Sequence, residues 1–350
     1  MQRVAFAAGV VFLGWLIFRI GPDTVLPSLA EVGWGFALIV ALFGISVLAN
    51  TASLRCMLPE PGRRMPLRTL APVVVAGDAV NAVTPTATVG GGLLRVSLLT
   101  PGISTPGAMA AVGLAAMTQF VAQVLFVLSG VPAALTQISD TRLRSGLLIL
   151  SAVLVSLLGA VLFLAWSRAA WRNLESLLCR FGLFRRWWAS GGAQVRSFGS
   201  QMLASLRSRP GDFVRSVFFA YIGWFWGVVE TFLILRMLKS PVDWRRAFSI
   251  ETLAVTIEAI LFFVPAKMGT QEGGKVLIFK AMGLDPARGL ALGLVRRVRE
   301  LAWAAIGLGV LGVLSRARAR RGDNPPASIE QEVAGGGSGK DDRLRRFVAF

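Results

Sequence analysis

Residues Val96–Ser139 read VSLLTPGISTPGAMAAVGLAAMTQFVAQVLFVLSGVPAALTQIS, and no Asp, Glu, Lys or Arg interrupts them. About 20 consecutive apolar residues suffice for a helix to cross a hydrocarbon core, so this window holds a full span with residues to spare. Working outward, Val32–Leu54, Ser145–Trp166 and Ser216–Val229 are also free of charge. Over the whole chain 54% of residues are hydrophobic and the mean hydropathy is +0.63. A single soluble core has no room for that much apolar side chain. The excess faces lipid, and the fold class is an all-α, polytopic membrane helix bundle.

Between the polar loops the sequence predicts spans at 4–20, 32–54, 107–130, 144–166, 213–238 and 288–315. The first follows Arg3 and resembles a signal peptide, but Arg19 with Gly21-Pro22 closes it and no small-x-small cleavage site follows, so it is expected to be retained. Regions 70–100 and 248–284 are each too long for one span, and each is broken by Pro, Gly and Thr at mid-depth. Both read as re-entrant hairpins or broken helix pairs, buried among the other spans. Domain limits follow: a membrane domain over 1–315 and a Gly- and Ser-rich tail over 316–350, expected to be disordered and cytoplasmic.

The formal charge is +18, yet the bases lie in loops between apolar segments, which is the pattern of positive-inside topology. Arg55–Arg68 holds four arginines and Arg168–Arg209 eight. Both loops are therefore expected in the cytoplasm, as are both termini, with the protein in a bacterial cell (inner) membrane. Segment 167–212 interleaves its arginines with Trp and Leu, as a helix lying on an anionic leaflet would. No module for nucleic acid interrupts the pattern, so no nucleic-acid partner is expected. The chain has no histidine, which excludes imidazole bases, Ser-His-Asp triads and His-containing metal sites. Its two cysteines, Cys56 and Cys179, read as free thiols. No metal or cofactor is expected.

One internal offset organises the charges. Shifting the chain by 180 residues lays 61–114 on 241–294, with Val75 on Val255, Ala79 on Ala259, Pro85 on Pro265, Val96 on Val276, Pro106 on Pro286 and Gly113-Leu114 on Gly293-Leu294. Asp78 falls on Glu258, each seven residues before the matching proline, and Arg95 falls on Lys275, each ten after it. An acid, a helix-breaking proline and a base recur in order. That is what duplication of a functional element leaves, and the loop charges make the copies an inverted repeat, a construction common in secondary transporters.

Ionisable groups at membrane depth cost several kcal/mol, roughly, unless paired or wetted. The first hairpin contributes Asp78, Asn81 and Arg95, with Gly90-Gly91-Gly92 allowing close backbone approach; the second contributes Glu251, Glu258, Glu272 and Lys275. Arg296, Arg297, Arg299 and Glu300 fall inside the last span, where Arg296 and Glu300 are spaced to pair at i,i+4 and leave Arg297 and Arg299 for a carboxylate elsewhere or a phosphate. Candidate substrate-binding or charge-relay residues are thus Asp78, Asn81, Pro85, Arg95, Glu258, Pro265, Glu272, Lys275, Arg296, Arg299 and Glu300. The bland alternative is that these charges only hold helices together. The glycine triplet lacks the Gly-x-x-x-x-Gly-Lys-Ser/Thr spacing of a nucleotide loop.

Thr84-Pro85 followed by Gly90-Gly91 and Arg95, then Pro265 with Gly269-Thr270-Gln271-Glu272-Gly273, and finally Arg299-Glu300 before the last apolar helix, resemble the flippase-like transmembrane region of lysylphosphatidylglycerol synthases. The resemblance covers about residues 1–315. In its second hairpin the chain is most similar to stand-alone members associated with hopanoid biosynthesis. It implies translocation of an anionic, hopanoid, aminoacylated or glycosylated lipid between leaflets, with a membrane lipid as the partner and room for a homo-oligomer or a lipid-biosynthesis partner. The family pattern implies a Glu beside the first hairpin's glycines, where this chain has Gly92 opposite Glu272, so this member would use Asp78 for that work or do something different. The soluble aminoacyltransferase half is not in this sequence, so lysyl transfer is not expected of it. Two other readings stay open: an embedded enzyme modifying a polyprenyl or hopanoid lipid with Glu258 or Glu272 as base, and a non-catalytic assembly subunit.

Overall fold

The computed structural model describes residues 30–60, 62–83, 89–167, 202, 204, 206–260 and 270–321, and among them the structure is helical with no strand. The helices are α1 (Gly35–Met57), α2 (Leu67–Val83), α3 (Val89–Leu99), α4 (Thr105–Leu135), α5 (Thr141–Trp166), α6 (Pro210–Met237), α7 (Trp244–Ile260), α8 (Thr270–Ala281) and α9 (Pro286–Arg321). Five of them, α1, α4, α5, α6 and α9, are long and apolar enough to cross a membrane. The expected first span at 4–20, Pro85, Pro265, Cys179, most of the basic segment 167–212 and the tail beyond residue 321 lie outside the described residues.

Local chemistry sets where the helices start. Asp140 caps α5 by accepting the backbone N–H of Arg142 at 2.7 Å. Asp243 accepts that of Arg246 at 2.8 Å before α7, and Asp285 that of Ala287 at 3.0 Å before α9. Pro106 and Pro210 occupy the first turns of α4 and α6, where a missing N–H costs nothing. α9 continues through Arg321, past residue 315 where the sequence reading ends the membrane domain, because Arg and Ala are strong helix formers.

The two regions too long for one span are helix pairs. In α2–α3 the Gly91 N–H donates to the Asn81 side chain at 2.8 Å and Arg95 reaches back to Asp78, so the helices run antiparallel. In α7–α8 Gly274 packs against Ile257, and Glu258 and Lys275 line one small gap.

Helices that correspond under the 180-residue offset have matching boundaries. α1 ends at Met57 and α6 at Met237; α4 begins at Thr105 and α9 at Pro286. Their packing is reciprocal: α9 lies on α2, and α4 lies on α7. Each crossing is made close by a glycine. A Cβ on Gly307 would come within 2.6 Å of the Val75 carbonyl, and one on Gly130 would overlap the Thr252 hydroxyl. Helices in lipid gain association energy from such close approach, since apolar surface alone drives none.

α1 and α6 pack along their length and antiparallel, with Gly35 against Met237, Ser46 donating to the Gly223 carbonyl at 3.2 Å, and Ser53 bonded to Ser216 at 2.9 Å. Because each hairpin follows one of these two helices, α2–α3 and α7–α8 enter the bundle from opposite ends. The main apolar core lies among α4, α6, α7, α8 and α9, around Phe126, Val228, Ile250, Phe279 and Leu292. A smaller one around Leu70, Ala76, Leu98 and Leu311 joins α2–α3 to α9. α5 contacts α4 and is otherwise largely exposed.

Candidate functional site

The intramembrane charges fall into two sets. The larger is organised by one face of α9. Arg296, Arg299, Glu300 and Trp303 recur at helical spacing and dock that face onto α1, α6, α7 and α8. Arg296 donates to Glu251 Oε1 at 3.0 Å, to the Gly227 carbonyl at 2.7 Å and to the Thr231 hydroxyl at 2.8 Å. Thr231 in turn donates to Glu251 Oε2 at 2.8 Å. Arg299 Nε is 2.9 Å from Glu230 Oε1, and its guanidinium lies 3.9 Å from the centroid of the Phe43 ring. Gln271 of α8 donates to Glu300 at 3.1 Å, Arg297 is 3.6 Å from the same carboxylate, and Trp303 Nε1 donates to the Val40 carbonyl at 3.0 Å.

Lys275, 2% exposed, sits within the electrostatic reach of Glu258, Glu251 and Glu300. The set therefore combines Glu230, Glu251, Glu258 and Glu300 with Lys275, Arg296, Arg297 and Arg299, four carboxylates against four cations. Pairing offsets the cost of burying these charges: a single uncompensated ion in such a place costs about 3–5 kcal/mol. Glu272 packs its backbone against Gly293 of α9, and its Oε2 is buried without a hydrogen-bond partner.

The smaller set is Asp78 and Arg95. Arg95 Nη2 donates to Asp78 Oδ1, and the two side chains remain 22% and 52% exposed, whereas those of Arg296, Arg299, Glu230 and Glu251 are 7% exposed or less. The hairpin brings the pair together by close backbone packing. Arg95 lies across Gly77, where a Cβ would come within 2.6 Å of Nε, and a Cβ on Gly91 would collide with the Gly77 carbonyl and the Asn81 amide. A Cβ on Gly92, one turn before Arg95, would meet only Val112 Cγ1 at 3.9 Å, an ordinary contact.

The offset thus places an acid–base pair at the same point in both hairpins, exposed in α2–α3 and enclosed in α7–α8. Arg296 is committed across the bundle to Glu251 and Glu230, which differs from the i,i+4 partnership with Glu300 that its spacing suggests. Its hydrogen bonds to a carboxylate go to Glu251, and at 3.7 Å it also faces Glu230, which the sequence reading passed over. Glu230 lies in the span predicted over 213–238, and the rule applied elsewhere, that an acid in a span needs a cation, would have found it. Also unforeseen is a buried polar seam between α1, α4 and α6: Ser53, Thr118 and Ser216 bond one another at 2.9–3.4 Å, and Gln119 donates to Asn50 at 2.8 Å.

No curated protein and no solved structure matches the chain. Residues 3–309 do match the lysylphosphatidylglycerol synthase transmembrane region, a stretch that takes in both hairpins, the Glu230 helix and the charged face of α9. The chain therefore belongs to the lysylphosphatidylglycerol synthase transmembrane-region family.

Proposed function

We propose that this protein translocates a membrane lipid with a charged or modified head group between leaflets, and that its two hairpins are inverted copies of one unit. The observation that carries the reading is their equivalence: an acid on the first helix and a base on the second, in hairpins that enter the bundle from opposite ends. A scaffold has no use for such matched pairs, because each costs desolvation that apolar packing would avoid. A transporter does, because a polar head group crossing the hydrocarbon needs polar partners reachable from either side. An anionic, aminoacylated or hopanoid lipid is the expected cargo class, and the family assignment supports a lipid.

The test is leaflet exchange of tail-labelled lipids in proteoliposomes holding the purified chain. Transport is expected, with loss on Glu258→Gln. No movement of any labelled lipid, or full rates in a Glu258→Gln, Arg299→Gln double variant, would refute the reading. Lipid mass spectrometry of a deletion strain separates an embedded enzyme, whose product would be missing, from a transporter, whose lipids are chemically normal but in the wrong leaflet.

A further inference from the structure

We propose, resting on the translocation reading, that the exposed Asp78–Arg95 pair is the head-group site, and that it takes a zwitterionic phospholipid head group bearing one phosphate and one ammonium. The buried set around α9 is internally matched and enclosed, so a ligand reaching it must first open several helix contacts. The α2–α3 pair keeps side-chain surface uncovered by the rest of the chain, 52% for Asp78 and 22% for Arg95. Its net charge is zero, which decides the ligand class. A purely anionic head group that took Arg95 would leave Asp78 unpaired and repelling it. A cationic one would do the reverse to Arg95. A head group with both charges exchanges with the ion pair and leaves nothing uncompensated at membrane depth.

Two further observations fit. Arg95 gives Asp78 one N–H of Nη2, and the guanidinium keeps its other Nη donors for phosphate oxygens. And at the offset position where α8 carries Glu272 three residues before Lys275, α3 carries Gly92 three residues before Arg95, so no second carboxylate stands beside the pair. The first hairpin therefore has one acid and one base at this point.

The experiment uses the full chain in proteoliposomes with trace tail-labelled phosphatidylethanolamine, phosphatidylglycerol or a diacyl trimethylammonium lipid. Leaflet exchange is the readout, so a soluble phosphate compound does not register. Phosphatidylethanolamine is expected to move about tenfold faster than the other two, the ratio that a modest difference in site affinity gives. The charge-swapped variant, Asp78→Arg with Arg95→Asp, restores a pair between the helices but reverses the order of charges that the head group meets. Its melting temperature is expected near that of the unmodified chain while phosphatidylethanolamine exchange falls about tenfold. Should the swap fail to fold, the single variants decide: Asp78→Asn shifts preference toward the anionic lipid and Arg95→Gln toward the cationic one. Exchange of the anionic or cationic lipid at least as fast as the zwitterion, a swapped variant with full exchange, or single variants with unshifted preference would overturn the inference and leave translocation standing. Movement of no lipid at all would overturn both.

Discussion

The two hairpins share a length, a register and the placing of one acid and one base, but they use their charges differently. In α7–α8 Lys275 is enclosed and the neighbouring Glu251 is tied by Arg296 to α9 and by Thr231 to α6. In α2–α3 the pair faces outward, and the hairpin meets the rest of the bundle through apolar packing on α1, α4 and α9. The same placing of an acid and a base can thus be tied into a bundle by a third helix or left at its edge.

That contrast is easiest to break at Arg296. Arg296→Met leaves Glu251 and Glu230 without their shared cation, and a loss of about 3–5 kcal/mol is expected. Thermal melting of the detergent-solubilised chain reads it; an unchanged melting temperature would mean the α9 set does not hold the bundle. Next is the crossing of α9 on the open hairpin. Gly307→Leu drives a side chain into Val75 and Ala79, with an expected cost of about 1–3 kcal/mol, and partial proteolysis or melting of the variant measures it.

Smaller still is the open pair itself. Arg95→Gln removes one partly exposed ion pair that no third helix shares, so melting is expected to fall less than in Arg296→Met while lipid exchange falls. If melting drops as far as in Arg296→Met, the two hairpins are not functionally distinct. The least effect is expected from Gly92→Ala, where nothing stands in the way of a methyl group: within about 0.5 kcal/mol in melting. Gly91→Ala, one residue earlier, meets the Gly77 carbonyl and should be destabilising by more than that, so the pair of variants maps the open side of α3.

Much of this was legible in the chain. The spans predicted at 32–54, 107–130, 144–166 and 213–238 match α1, α4, α5 and α6 to within a few residues, and both broken regions are helix pairs. Lipid exposure makes hydropathy a strong signal, and lipid also forces the backbone to satisfy its own hydrogen bonds as helix. Partnerships were less legible. The spacing of Arg296 and Glu300 suggested a local pair, while the folded chain sends Arg296 to carboxylates 45 and 66 residues away in sequence, Glu251 and Glu230.

Sequence by itself determined that this is a membrane bundle of helices, where its two hairpins lie, and that each carries an acid and a base at matching places. Those properties follow from length, polarity and periodicity, which are local. Only the tertiary structure decided that α1 and α6 pack antiparallel, that Arg296 spends its donors on α6 and α7, and that Asp78 with Arg95 stays open while Lys275 is enclosed. The difference is physical: whether a charge is buried depends on which helices come within a few ångströms of it, and the glycines that permit such approach act between segments far apart in the chain.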